Sequence, residues 1–97
     1  MGYRKLPKES DMPPIFKAWL DWLPLLEDKP PNTIKAYNQG VRRIISFAEK
    51  DPNDLSPDFL NQAELTDTVR SMRSSGEMSK ATLNQTLAAL NSFYDFC

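Results

Sequence analysis

The sequence contains no histidine, which excludes imidazole proton transfer and histidine metal ligation together. Its one cysteine is Cys97, so neither an internal disulfide nor a thiolate cluster can form, and nothing implies an oxidising compartment. With only Gly2, Gly40 and Gly76, no glycine-rich loop is available to cradle a phosphate. No apolar run approaches the roughly 18 residues of a membrane-spanning helix, and residues 1–12 lack the apolar centre of a signal peptide. A soluble, cytoplasmic protein is expected. Asp51, Asp54 and Asp58 fall in turn-forming sequence, without the spacing or central glycine of a calcium loop. No catalytic constellation, metal or cofactor is therefore expected in this chain.

What is present suffices for one core. Hydrophobic residues make up 40% and aromatics 10% of 97 residues, enough for a single domain that folds without staples. The net charge of −1 and pI near 5.3 argue, as totals, against a polyanionic partner. The distribution argues otherwise. Residues 1–50 carry nine Lys or Arg against six Asp or Glu, whereas residues 51–97 carry three against seven. From Lys29 to Ala48 there is no acid at all. Wound at helical pitch, Asn32 to Ala48 puts Ile34, Tyr37, Val41, Ile44, Ile45 and Ala48 on one arc. Lys35, Asn38, Gln39, Arg42, Arg43 and Ser46 occupy the other. Solvated helix faces usually mix both charge signs, so this acid-free face is either ordinary exposed surface or a surface for a polyanion.

The rest of the chain reads as further helices. Residues 1–12 form an expected flexible arm and residues 13–97 the folded domain. Pro13 and Pro14 suit a first turn, followed by Phe16, Trp19, Leu20 and Leu23 at helical spacing; Pro24 predicts a stop or kink near Leu23. Asn32 predicts the cap of the second helix, which runs to about Glu49. Ser56 and Pro57 open a short turn, and a third helix spans residues 62–74 with Gly76 closing it in a left-handed conformation. Ser79 caps the fourth, with Met78 placed to pack on Leu83. Leu83, Leu87, Leu90, Phe93 and Tyr94 face inward there, while Lys80, Ala81, Asn84, Gln85, Ala88, Asn91 and Ser92 face out, acid-free until Asp95. Without strand-length alternation, the expected fold is an all-α bundle of four helices.

The two outer faces carry the side chains that DNA recognition uses: Lys and Arg for phosphate or guanine, Asn and Gln for adenine, Ser and Thr for either. Helix N-termini at Asn32-Thr33 and Ser79-Lys80 would add N–H donors. The succession N-T-I-K-A-Y, R-R-I-I-S-F-A, a helix ending in S-S-G, and S-K-A-T-L-N-Q-T-L-A-A-L-N-S-F-Y-D-F resembles the core-binding domain of tyrosine recombinases and phage integrases. That domain has the SAM-like integrase N-terminal fold, and the resemblance covers about Pro13 to Phe96. It implies one half of a clamp that holds double-stranded DNA with the second and fourth helices during integration or recombination. By position, the implied contacts are Thr33, Lys35, Gln39, Arg42 and Arg43 on the second helix, and Lys80, Thr82, Asn84 and Gln85 on the fourth. Thr82 lies near the apolar flank, where a hydroxyl bonding the preceding turn is its other role.

The family's chemistry resides in a separate domain with Arg, His and a nucleophilic Tyr. This chain is therefore expected to be a monomeric, non-catalytic piece of a longer recombinase, meeting other protomers in the full protein. Tyr94 lies on the core arc and is not that nucleophile. The rival reading is a helical protein-interaction module, with exposed Trp22 or Phe47 marking the partner seam.

Overall fold

The computed structural model describes residues 6–97. Among the described residues there are four α-helices and no strands: α1 (Pro14–Leu26), α2 (Pro31–Ala48), α3 (Gln62–Ser75) and α4 (Lys80–Phe96). The all-α, four-helix expectation holds.

Two of the helices begin alike. Pro13 and Pro30 are extended residues preceding a second proline, and Pro14 and Pro31 take the first helical position. The expected Asn32 cap is thereby corrected, because Pro31 has no N–H and the start is fixed by proline geometry, with Ile34 N–H donating to the Pro30 carbonyl at 3.1 Å. Side-chain caps appear where no proline helps. Asn61 accepts from the Glu64 N–H at 2.7 Å while Glu64 accepts from the Asn61 N–H at 3.0 Å, and Ser79 Oγ accepts from the Thr82 N–H at 3.1 Å. Gly76 ends α3 at φ 69°, as expected.

Pro24 does not stop α1, which continues to Leu26. In the last turn a proline forfeits a single backbone bond, and the turn beyond it projects into solvent, leaving Leu25 and Leu26 79% and 73% exposed.

The core gathers around Trp19, which is fully buried. Its ring stacks on Tyr37 of α2 at 6.3 Å and meets the edge of Phe93 of α4 at 5.7 Å, and its Nε1 donates to Ser92 Oγ at 3.2 Å. One indole thus ties α1, α2 and α4 together. Met72 from α3 and Leu55, Phe59 and Leu60 from the preceding connector complete the core. The deepest seam lies between α2 and α4. A Cβ at Gly40 would stand 2.9 Å from Ala89 Cβ and 3.4 Å from Thr86 Cα, so glycine is what lets the two helices approach there.

The expected flexible arm falls in two parts. Residues 1–5 lie outside the described residues. Residues 6–12 form a short 3-10 turn over Glu9–Asp11 held against α2: Asn38 Nδ2 donates to Glu9 Oε1 at 2.8 Å and Arg42 Nη1 to the Pro7 carbonyl at 3.4 Å. Residues 6–12 thus form a strap bonded to α2 through Asn38 and Arg42.

Candidate nucleic-acid interface

Helical pitch carries Lys35, Gln39 and Arg43 along one outer line of α2, four residues apart. Lys35 and Gln39 are exposed; Arg43 is half-buried because its guanidinium crosses to α4, where Nη1 donates to Thr86 Oγ1 at 3.0 Å. Burial, and then the neighbouring Arg42 charge, push the Arg43 pKa down from its ordinary value. Arginine still stays charged at any working pH, so Arg43 is a fixed cation at the junction of the two helices. Thr86 in turn donates to the Thr82 carbonyl at 2.8 Å, completing a polar seam along α4.

The line has two walls. On one side α4 rises next to Gly40 through Thr86 and Ala89, and Gln85, next to Thr86 in the chain, is exposed. On the other side stands the strap, which reaches Asn38 and Arg42. Asn38 is only 9% exposed, and its Oδ1 accepts from Arg42 Nε at 2.7 Å. Hence two polar side chains that periodicity assigns to the outer face are drawn under the strap.

The nine expected contact residues do not form one patch. Lys35, Gln39 and Arg43 share the α2 line, and Gln85 is exposed on α4 next to Thr86, which Arg43 reaches. Lys80 and Asn84 are exposed but line a cleft of about 380 Å³ with Met72 and Arg73 of α3. A step of about 100° per residue turns Asn84 away from Gln85 by roughly a quarter of the way around α4. Thr33 and Thr82 are half-buried, and Thr82 Oγ1 accepts from Ser79 Oγ at 3.1 Å, the role of bonding the preceding turn. Arg42 is tied to Asn38 and Pro7. Arg73 was missed by sequence reasoning: it lines the same cleft as Lys80 from another helix, which periodicity within one helix does not register.

Each helix start offers fewer free donors than its length suggests. Pro31 has no N–H, and at α4 the Thr82 N–H is taken by Ser79. Tyr94 packs on Phe59 at 6.5 Å and Phe93 at 6.3 Å, and burial pushes its phenol pKa up, the reverse of what a nucleophile needs. The proposed partner seam of the rival reading also changes. Phe47 is buried and Trp22 is half-buried against Phe96 at 5.4 Å; the large exposed apolar pair is Leu25 and Leu26.

A four-helix domain with a cationic, amide-bearing line along its central helix is the class of protein described so far. Residues 16–97 match the phage integrase, N-terminal SAM-like domain, and the chain belongs to that family. It is thus a recombinase N-terminal, core-binding type of domain, and the match includes no catalytic domain. No curated protein and no solved structure is significantly similar to the chain. No helix among the described residues is long and apolar enough to cross a membrane.

Proposed function

We propose that this domain binds double-stranded DNA and helps hold a recombination-site duplex while strand exchange is carried out by a catalytic domain elsewhere in the full recombinase. The observation that carries the proposal is the acid-free line on α2: from Lys29 to Ala48 no Asp or Glu interrupts it, and its exposed members are Lys35 and Gln39 with Arg43 beside them. Gln85 of α4 is exposed beside Thr86, and the Arg43 to Thr86 bond that ties the two helices supports counting it with the same surface. Lys35 and Arg43 meet phosphates, and the two amides are of the type that reads base edges in the major groove. The family membership supports the same reading, including other protomers of the recombinase as partners on the duplex.

The salt dependence separates a one-surface from a two-surface contact. Each neutralised phosphate contributes about 0.9 to the slope of log affinity on log salt. Lys35 and Arg43 alone give a slope of about −1.8; Lys80 and Arg73 engaged as well bring it to about −3.6. In the second case a fourfold rise in salt weakens binding roughly a hundredfold. The test is fluorescence anisotropy of a short labelled duplex over a salt series, with Lys35→Glu and Lys80→Glu variants. Lys35→Glu is expected to weaken binding and flatten the slope by about 1 or more. Unchanged binding by Lys35→Glu, or no duplex binding at low salt, defeats the proposal.

A further inference from the structure

Asn38 donates to the chain's own Glu9 carboxylate, while Arg42 holds the Asn38 side chain and reaches the Pro7 carbonyl. Arg42 Nε, donating to Asn38 Oδ1 at 2.7 Å, fixes the carboxamide so that Nδ2 points outward; Glu9 Oε1 accepts from it at 2.8 Å. The strap carrying Glu9 is shaped for this. Lys8 N–H donates to Asp11 Oδ2 at 3.2 Å and Asp11 N–H to the Lys8 carbonyl at 2.9 Å, closing the turn that presents Glu9. Met12, half-buried, anchors the far end to the core, and Pro7 supplies a carbonyl to Arg42 Nη1. The α2 helix has no acid of its own, so the acids on this flank come from the strap, Glu9 and Asp11, and from Glu49 just past the helix end, which with Leu6, Pro7, Lys8 and Asp11 borders an open groove.

We infer that the strap over residues 6–12 is a latch on the DNA-facing helix: Glu9 occupies a site on Asn38 and Arg42 that takes a phosphodiester oxygen of the duplex when the strap lifts. This rests on the DNA reading above and adds to it a closed state and an open state. The chemistry at the site supports the exchange. An oxygen with negative charge at hydrogen-bond distance from Asn38 Nδ2 is what a phosphate also presents, and Arg42, with five N–H donors of which two are engaged here, has donors left for it. The latch is also weak enough to yield. Among the described residues no ion pair joins Glu9 to Arg42, and Glu9 itself is exposed. Opening adds one cation and one amide to the flank of the Lys35, Gln39 and Arg43 line.

The test compares Glu9→Gln and Glu9→Ala with the charge control Glu49→Gln, which removes a negative charge beside the same strap without touching Asn38 or Arg42. Duplex affinity is measured across a salt series, and the Asn38 side-chain amide is followed by NMR in the free protein. If the latch is closed about 90% of the time, releasing it tightens apparent affinity about tenfold. Both Glu9 variants are then expected to shift the Asn38 amide before DNA is added, tighten binding and steepen the slope by about 0.9, with Glu49→Gln doing none of these. Equal tightening by Glu49→Gln overturns the latch, because bulk charge then explains the gain. A moved Asn38 amide with unchanged affinity and slope, while Lys35→Glu still weakens binding, also overturns it and leaves the DNA reading intact. Absence of duplex binding by the parent and every variant at low salt defeats the DNA reading and the latch with it.

Discussion

Gly40 is where α2 and α4 come closest, and replacing it with alanine sets two effects of known sign against each other. In a helix interior alanine is favoured over glycine by about 1 kcal/mol. Against this, the added Cβ stands 2.9 Å from Ala89 Cβ and 3.4 Å from Thr86 Cα. Carbon atoms prefer about 3.5–4.0 Å, so α4 must retreat by about 1 Å. Neither neighbour can swing aside, since one is a methyl fixed to the backbone and the other is backbone. The retreat loosens a seam lined by the buried Val41, Ile44 and Leu90 and strains the 3.0 Å bond from Arg43 to Thr86. Overpacking of this kind costs about 1–3 kcal/mol, which outweighs the propensity gain. Gly40→Ala is therefore expected to lose about 1 kcal/mol, a fall of about 4–8 °C in melting temperature for a domain of this size.

The assay is urea and thermal unfolding of four proteins: parent, Gly40→Ala, Ala89→Gly and the double variant. Ala89→Gly alone loses helix propensity and a buried methyl, so it destabilises. In the double variant the methyl that the added Cβ would strike is gone, and the combined loss should be smaller than the two single losses added together by about 0.5 kcal/mol or more. A Gly40→Ala protein more stable than the parent, or strict additivity in the double variant, refutes the close-approach argument.

Three other outcomes follow from particular bonds. Asn61→Ala removes the cap from the Glu64 N–H and is expected to cost about 1 kcal/mol in urea unfolding. Ser92→Ala leaves Trp19 Nε1–H, in a fully buried ring, without its acceptor; a loss of about 1–3 kcal/mol and faster exchange of the indole proton in NMR are expected. The Asn61 N–H first, and Lys50 Nζ at 2.6 Å next, hold the Glu64 carboxyl below the usual glutamate range. A depressed folded-state pKa means this stabilisation is complete above the unfolded value and is lost as pH falls through the folded one. Urea midpoints taken downward into the acid range should show a shallower decline for Glu64→Gln than for the parent; identical acid limbs would refute the assignment.

The helices were legible because each has a local signature: the period of Phe16, Trp19 and Leu23, the stop at Gly76, the cap at Ser79. Caps failed to transfer where proline took over, since Pro30 and Pro31 leave Asn32 no starting N–H to satisfy at the first position. The site was legible as residue types and illegible as an arrangement. Asn38 and Arg42 read as outer-face donors on the helical wheel, yet they meet Glu9 and Pro7 from 29 and 35 residues away. Asn84 and Lys80 share a cleft with Met72 and Arg73 of α3, a neighbourhood that no periodicity within α4 marks out. Phe47 looked exposed because it lies off the main apolar arc; α2, packed by α1, α3 and α4, buries a wider arc than periodicity alone marks out.

The acidic total and the cationic line are compatible because the acids are engaged or placed elsewhere. Glu64 is paired with Lys50 and Asp67 with Arg70, while Asp51 and Asp54 close the turn after α2 on each other's backbone N–H groups and that of Asn53. What remains along α2 is one sign of charge in a narrow strip. A net charge of −1 supplies no long-range pull toward a duplex, so the proposed DNA binding would draw its affinity from contacts made within about a Debye length, roughly 10 Å at moderate salt. That makes each cation of the strip count. Under the proposed latch the strap also gains leverage it would not have on a strongly basic domain: with two cations on the α2 line, a strap whose Pro7 carbonyl holds Arg42 withholds one of three. On the DNA-binding reading proposed above, such a domain grips a duplex weakly alone, and the proposed latch makes its contribution depend on whether Glu9 or a phosphate sits on Asn38.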